Sequence, residues 1–193
     1  MPGRVEHRVR ASLRAAQRPG KGWNLAVLAA AAMAVVFFVF EPDLGQMETL
    51  LVSSALRPGL ADHIHCTLHR GLMRHNGPLE DPLLVEAVSG AIPDGYRVAM
   101  CHRCQFRGRP YIHVALTDGE SKLVSLIVTR KQEGEGMAKP TTSRTVRFAV
   151  SGSETHDHLV YVVSGLENQQ NETLLAALEP KIQKYLQITP QKM

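Results

Sequence analysis

Tyr96-Arg-Val-Ala-Met-Cys-His-Arg-Cys-Gln-Phe-Arg-Gly-Arg-Pro-Tyr-Ile-His-Val-Ala-Leu116 places two strand-forming runs, Tyr96–Cys104 and Tyr111–Leu116, on either side of Arg107-Gly108. A tight turn at Arg107-Gly108 makes the segment a β-hairpin. Its register then puts Phe106 opposite Arg109, Cys104 opposite Tyr111, and His102 opposite His113. Side chains alternate between the two faces of a strand, so His102, Cys104, Tyr111 and His113 share one face. Cross-strand neighbours lie about 5 Å apart, a span that one metal ion bridges.

Downstream the chain continues as strand and turn. Asp118-Gly119 is a second turn, and the apolar run Leu123–Val128 reads as a buried strand. The polar, glycine-containing stretch 131–143 reads as a loop, and Thr145–Val150 and His158–Ser164 as two more strands. Asn168–Leu186 closes the chain as an amphipathic helix with Leu174, Leu175, Leu178, Ile182 and Leu186 on one side, and Pro180 as a point of kinking or splitting. Upstream, Gln46–Leu56 reads as a helix that Arg57-Pro58-Gly59 stops. Asp62 caps a short helix running to about Arg70, Gly77-Pro78 marks a loop, and Pro82–Val88 is a short helix closed by Gly90. The expected architecture is α+β: an antiparallel sheet of about five strands with helices packed on one face.

The upstream helix adds His63, His65, Cys66 and His69 to the strand residues, with His65 and Cys66 each sharing a helix face with His69. Thiolate and imidazole together suit zinc, copper or haem iron, so His63, His65, Cys66, His102, Cys104 and His113 are the candidate ligands. Cys101-His-Arg-Cys104 has Cys-x-x-Cys spacing, but Gln105 stands where c-type haem attachment requires histidine. The chain has three cysteines, too few for a four-cysteine zinc site. The same residues also admit a plain disulfide, Cys66 with Cys104 or Cys66 with Cys101, or buried thiols among unconnected histidines. His156 and His158 read as surface residues at a turn. Asn171-Glu-Thr matches a glycosylation acceptor, but its place on a helix argues against its use.

Trp23–Phe40 is uncharged from Asn24 onward and covers roughly 27 Å as a helix, close to a hydrocarbon core of about 30 Å. Arg4, Arg8, Arg10, Arg14, Arg18 and Lys21 precede it, and Glu41, Asp43 and Glu48 follow it. That asymmetry predicts an uncleaved anchor in a bacterial inner membrane, N-terminus cytoplasmic, with Trp23, Phe37, Phe38 and Phe40 as its aromatic anchor residues. The expected organisation is a basic tail over 1–22 that lies on anionic lipid, a transmembrane helix over 23–40, a linker and helix over 41–60, and an extracytoplasmic α+β domain over 61–193. Ala26, Ala30 and Ala34 have the small-residue spacing of helix pairs, so a homodimer through the anchor is a possible arrangement. The net charge of +4 resides in the tail, and the remainder is near neutral, which argues against nucleic acid as a partner.

Several of these segments resemble bacterial membrane anti-sigma factors. Arg8-Val-Arg-Ala-Ser-Leu-Arg-Ala-Ala16 before an alanine-rich span is similar to their linker and anchor. Gly95-Tyr-Arg-Val-Ala-Met100, Gly108-Arg-Pro-Tyr-Ile-His-Val-Ala-Leu116, Leu123-Val-Ser-Leu-Ile-Val128 and His158-Leu-Val-Tyr-Val-Val-Ser-Gly-Leu166 resemble their extracytoplasmic domains. Asp62-His-Ile-His-Cys66 with His102-x-Cys104 resembles a subset of transmembrane anti-sigma factors. The chain departs from the family in its tail: the cytoplasmic zinc-binding helical domain with its His-x3-Cys-x2-Cys motif is missing, since no cysteine precedes Cys66. The resemblance therefore implies a sensor-like outer domain rather than a sigma-factor inhibitor.

No nucleophile elbow, phosphate-binding glycine loop or supported acid pair is present, so no enzymatic activity is expected. Two readings follow. One is a single-pass membrane regulator, anti-sigma factor-like, whose outer His/Cys domain senses metal or redox state and engages a membrane protein partner. The other is a metal- or haem-binding accessory subunit of a respiratory or photosynthetic membrane complex.

Overall fold

Arg107 and Gly108 both take positive φ, 52° and 77°, as a two-residue hairpin turn demands. Strands β1 (Arg97–Phe106) and β2 (Arg109–Thr117) pair across it with His102 opposite His113 and Cys104 opposite Tyr111, the register expected from the turn. The computed structural model describes residues 49–69, 79–119 and 122–189. The basic tail, the apolar run 23–40 with Trp23, Phe37, Phe38 and Phe40, and Gly77-Pro78 lie outside the described residues. Among the described residues no helix is long and apolar enough to cross a membrane.

The sheet adds β3 (Leu123–Arg130), β4 (Thr141–Arg144), β5 (Ala149–Thr155) and β6 (His158–Ser164). All neighbours are antiparallel, in the order β1-β2-β3-β6-β5-β4. The chain runs as a meander through β1, β2 and β3, crosses to the far edge for β4, and returns through β5 to lay β6 against β3. Among the described residues the helices with both ends in view are α1 (Arg57–Asp62), which runs directly into π-helical turns over His63–His69, then α2 (Pro82–Ser89) and α3 (Asn168–Ile188).

The fold is thus α+β with six strands, and its helices cover both faces of the sheet rather than one. On one face Val114, Leu116, Leu126 and Val162 pack with Leu84 of α2 and Leu174, Leu178 and Ile182 of α3. On the other, Tyr111, Ile127, Leu159 and Tyr161 pack with Val52, Leu56, Leu60 and Ile64. Burial on both faces explains why β3 and β6 read as nearly continuous apolar runs instead of alternating ones.

α3 forms where its leucine spacing places it and passes through Pro180 as one helix. Its anchor to the sheet is Asn171, fully buried, which accepts from Ser164 Oγ (2.7 Å) and donates to Ser151 Oγ (3.0 Å) and the Val162 carbonyl (2.8 Å). At the other end Tyr185 donates to Asp81 Oδ2 (2.6 Å), and Asp81 also caps α2 and receives Arg103 of β1.

Other boundaries differ from expectation. Within the described part of the expected helix Gln46–Leu56, residues 49–50 are helical, residues 51–56 form turns and bends, and a separate helix begins at Arg57. Proline at the first turn starts a helix as readily as it stops one, because its missing N–H would be unpaired there. Gly59 is required three residues in: a Cβ there would lie 2.4 Å from Tyr161 Cγ. The expected loop 131–143 yields the short edge strand β4 at its end. The expected strand Thr145–Val150 begins only at Ala149, because Thr145 Oγ1 accepts from the Arg147 and Phe148 amides and closes a turn. His158 is buried at the start of β6, 5% exposed, not a surface residue.

Candidate metal centre

The end of α1 and the π-helical turns lie over β3, β2 and β1 and present Asp62, His63, Cys66 and Thr67 to them. Asp62 closes α1, but its carboxylate does not cap the following turn. It points inward, with Oδ2 3.2 Å from His113 Nδ1, and Oδ1 accepts from the Cys104 thiol at 3.4 Å. Cys66 Sγ lies 3.0 Å from His102 Nε2. The donor atoms of Cys66, His102 and Cys104 all fall within 4.8 Å of one another, and so do those of Asp62, Cys66 and His113. Asp62, Cys66 and His113 are fully buried, His102 is nearly so, and Cys104 is half-buried. The hairpin register supplies His102, Cys104 and His113, and the helical spacing supplies Asp62 and Cys66.

A hydrogen-bonded relay backs this cluster. His113 Nε2 lies 2.8 Å from Ser125 Oγ and 3.2 Å from Thr67 Oγ1, and Ser125 Oγ lies 2.8 Å from His63 Nδ1. Burial alone would lower the pKa of His113, but the Asp62 carboxylate and the Cys66 sulfur outweigh it and raise the value to about 9. A protonated His113 donates from Nε2 to Ser125, whose hydroxyl is then free to donate to His63. Burial, together with the charges of His113 and Arg147, pushes His63 down to about 3, so it is the neutral end of the relay. The Cys104 thiol, then the imidazoles of His102 and His113, hold the Cys66 thiol well below its ordinary value against the cost of burial. Cys104 moves the opposite way, pushed up by its hydrogen bond to Cys66, by burial and by Asp62. The two sulfurs are thus pushed in opposite directions and titrate as a pair, flanked by two imidazoles.

The candidate ligands divide. Cys66, His102 and Cys104 converge, and His113 joins them through Cys66 and Asp62. His63 is in the adjoining relay, bonded to Ser125 and edge-on to Phe148 (4.8 Å). His65 turns away and stacks on Phe106 at 4.4 Å. Cys101 faces the opposite side of β1, in the core beneath α2 and α3, so it is separated by the sheet from Cys66. None of the three cysteines is in a disulfide. Asp62, Thr67 and Ser125 were not among the candidates. Their signals were present: Asp62 precedes Cys66 by one helical turn, Thr67 follows it, and Ser125 interrupts an apolar strand at the parity of His113.

The chain matches no protein-family model and no curated protein. Among solved structures it is similar to MucB in a complex with MucA(peri), at 18% identity and TM-score 0.36, over 43% of this chain and 32% of that one. It is similar also to a chain of the Pseudomonas aeruginosa MucA/MucB complex, at 18% identity and TM-score 0.36, over 43% and 30% of the two chains. The match spans about a third of the length of those chains.

Proposed function

We propose that this chain is a membrane-tethered, extracytoplasmic regulatory protein of anti-sigma-like type, without enzymatic activity, whose outer domain binds a transition-metal ion between its N-terminal helix and its first hairpin. The observation that carries the reading is the convergence of Cys66, His102 and Cys104 donor atoms within 4.8 Å at a buried helix–sheet contact. Two sulfurs and an imidazole are a soft donor set, suited to zinc or copper. An ion there joins elements remote in sequence, so its arrival or loss changes how firmly the helix that follows the tether is held to the sheet. This links occupancy to a membrane protein partner, with the apolar run 23–40 as tether in lipid.

The test is metal analysis of the full chain, purified in detergent without added metal, with thiols counted before and after chelation. Near-stoichiometric zinc or copper, with Cys66 and Cys104 becoming reactive on chelation, is the expected result. A chain that takes up no metal after reduction refutes the reading.

A further inference from the structure

We propose that the ion is zinc and that Asp62 is its fourth ligand, completing a closed tetrahedral set with Cys66, His102 and Cys104. The proposal rests on the cluster being a metal site, and it specifies which ion and which donors. Asp62 Oδ1 already touches Cys104 Sγ at 3.4 Å, and an Asp62 oxygen lies within 4.8 Å of Cys66 Sγ. The carboxylate is fully buried; its Oδ1 accepts from the Cys104 thiol, and its Oδ2 faces His113 Nδ1 at 3.2 Å. A carboxylate has about four lone-pair sites, and a cation satisfies those that two neighbours leave over in a buried place.

Charge selects the ion. Two thiolates and a carboxylate bring three negative charges into a buried site. A divalent ion offsets more of that charge than a univalent one, and His113 Nδ1 stands 3.2 Å from Asp62 Oδ2 behind the site. A univalent copper ion offsets less of it and, being soft, disfavours the hard carboxylate oxygen. Sulfur, nitrogen and oxygen donors in tetrahedral array are the ordinary surroundings of zinc. His113 then serves as the outer partner that orients the liganding carboxylate, the kind of support that second-layer groups give metal sites. Four protein donors leave no open position, so the site holds its ion and does not turn over a substrate. Cys104, the half-buried member, is the point of entry.

The test titrates the full chain, reduced and stripped of metal, with cobalt(II), zinc and copper(I) separately. Expected are one cobalt per chain, the intense visible bands of tetrahedral cobalt with charge transfer from two thiolates, and full displacement by one equivalent of zinc. Asp62→Asn should weaken zinc binding by roughly tenfold or more, and Cys104→Ser should remove one thiolate from the cobalt spectrum. Weak octahedral cobalt bands, copper(I) held in place of zinc under competition, or zinc affinity unchanged in Asp62→Asn would each overturn the proposal. An unchanged spectrum in Cys104→Ser would also overturn it, by moving the ion to Asp62, Cys66 and His113. The wild-type cobalt spectrum decides the donor set even if a variant fails to fold. Failure to bind any of the three ions would instead remove the metal-site reading itself.

Discussion

Gly59→Ala sets two physical expectations against each other. Glycine is a poor helix former, so on propensity alone alanine would stabilise α1 by up to about 1 kcal/mol. The structure opposes this. The added methyl would sit 2.4 Å from Tyr161 Cγ, 2.7 Å from its Cβ and 2.8 Å from its Cδ1. Tyr161 cannot swing away: it is fully buried in the inner strand β6, and its hydroxyl donates to the Ala55 carbonyl at 3.0 Å. The relief has to come from lifting α1 off the sheet, and overpacking of this kind costs about 1–3 kcal/mol. With contacts this short the upper end applies, leaving a net loss of about 2 kcal/mol, or roughly 4–8 °C in Tm for a domain of this size. Urea unfolding followed by circular dichroism measures it. The companion measurement is a cycle with Tyr161→Ala, in whose background the same substitution should be neutral or mildly stabilising. Because Asp62 and Cys66 ride on the displaced helix, metal affinity should fall with stability. An alanine variant as stable as the parent, or more stable, would refute the close-approach argument.

His63 is neutral when folded and about 3 in pKa, against an ordinary value of 6.5. Its unfolded form takes up a proton as pH falls through 6.5 and its folded form does not, so this group's stability is present above that pH and lost below it. Comparing the chain with His63→Asn, the difference in unfolding free energy should shrink by about 2 kcal/mol between pH 7.5 and pH 5; a difference independent of pH would mean that His63 titrates normally. The two cysteines of the Cys-x-x-Cys motif should separate cleanly. Cys101→Ser should leave metal stoichiometry intact, while Cys104→Ser should lower metal affinity at least about tenfold. Equal effects on metal content would contradict the placement of Cys101 on the other face.

Much of the site was legible because one turn sets parity. Once Arg107 and Gly108 form a two-residue loop, His102, Cys104 and His113 must share a face and Cys101 must leave it. The leucine spacing of α3 and the burial of β3 and β6 were equally readable. What escaped depended on partners distant in sequence. Arg57-Pro-Gly looks like a stop until Tyr161 explains the glycine. Ser151-Gly-Ser153 falls outside the strand expected over Thr145–Val150, and Leu56 Cδ2, 2.7 Å from a Cβ on Gly152, and Asn171, bonded to Ser151, explain these small residues of β5. Asp62 reads as a cap by local rules, and only the position of His113 turns it inward.

The order in which the chain is made is not the order in which this site can close. Asp62, His63 and Cys66 leave the ribosome first, yet their partners come 36 residues later at His102 and 62 later at Ser125. The contact that seats the segment, Ala55 with Tyr161, spans 106 residues. Until β6 is in place the helix lacks Leu159 and Tyr161, part of the surface on which it lies, and Cys66 is an accessible sulfur while Cys101 and Cys104 emerge. Sheet formation then sequesters Cys101 on the far side and leaves Cys104 to meet Cys66. The layered fold thus sorts three equivalent thiols in time, and an ion arriving at the last docking step would seal that sorting.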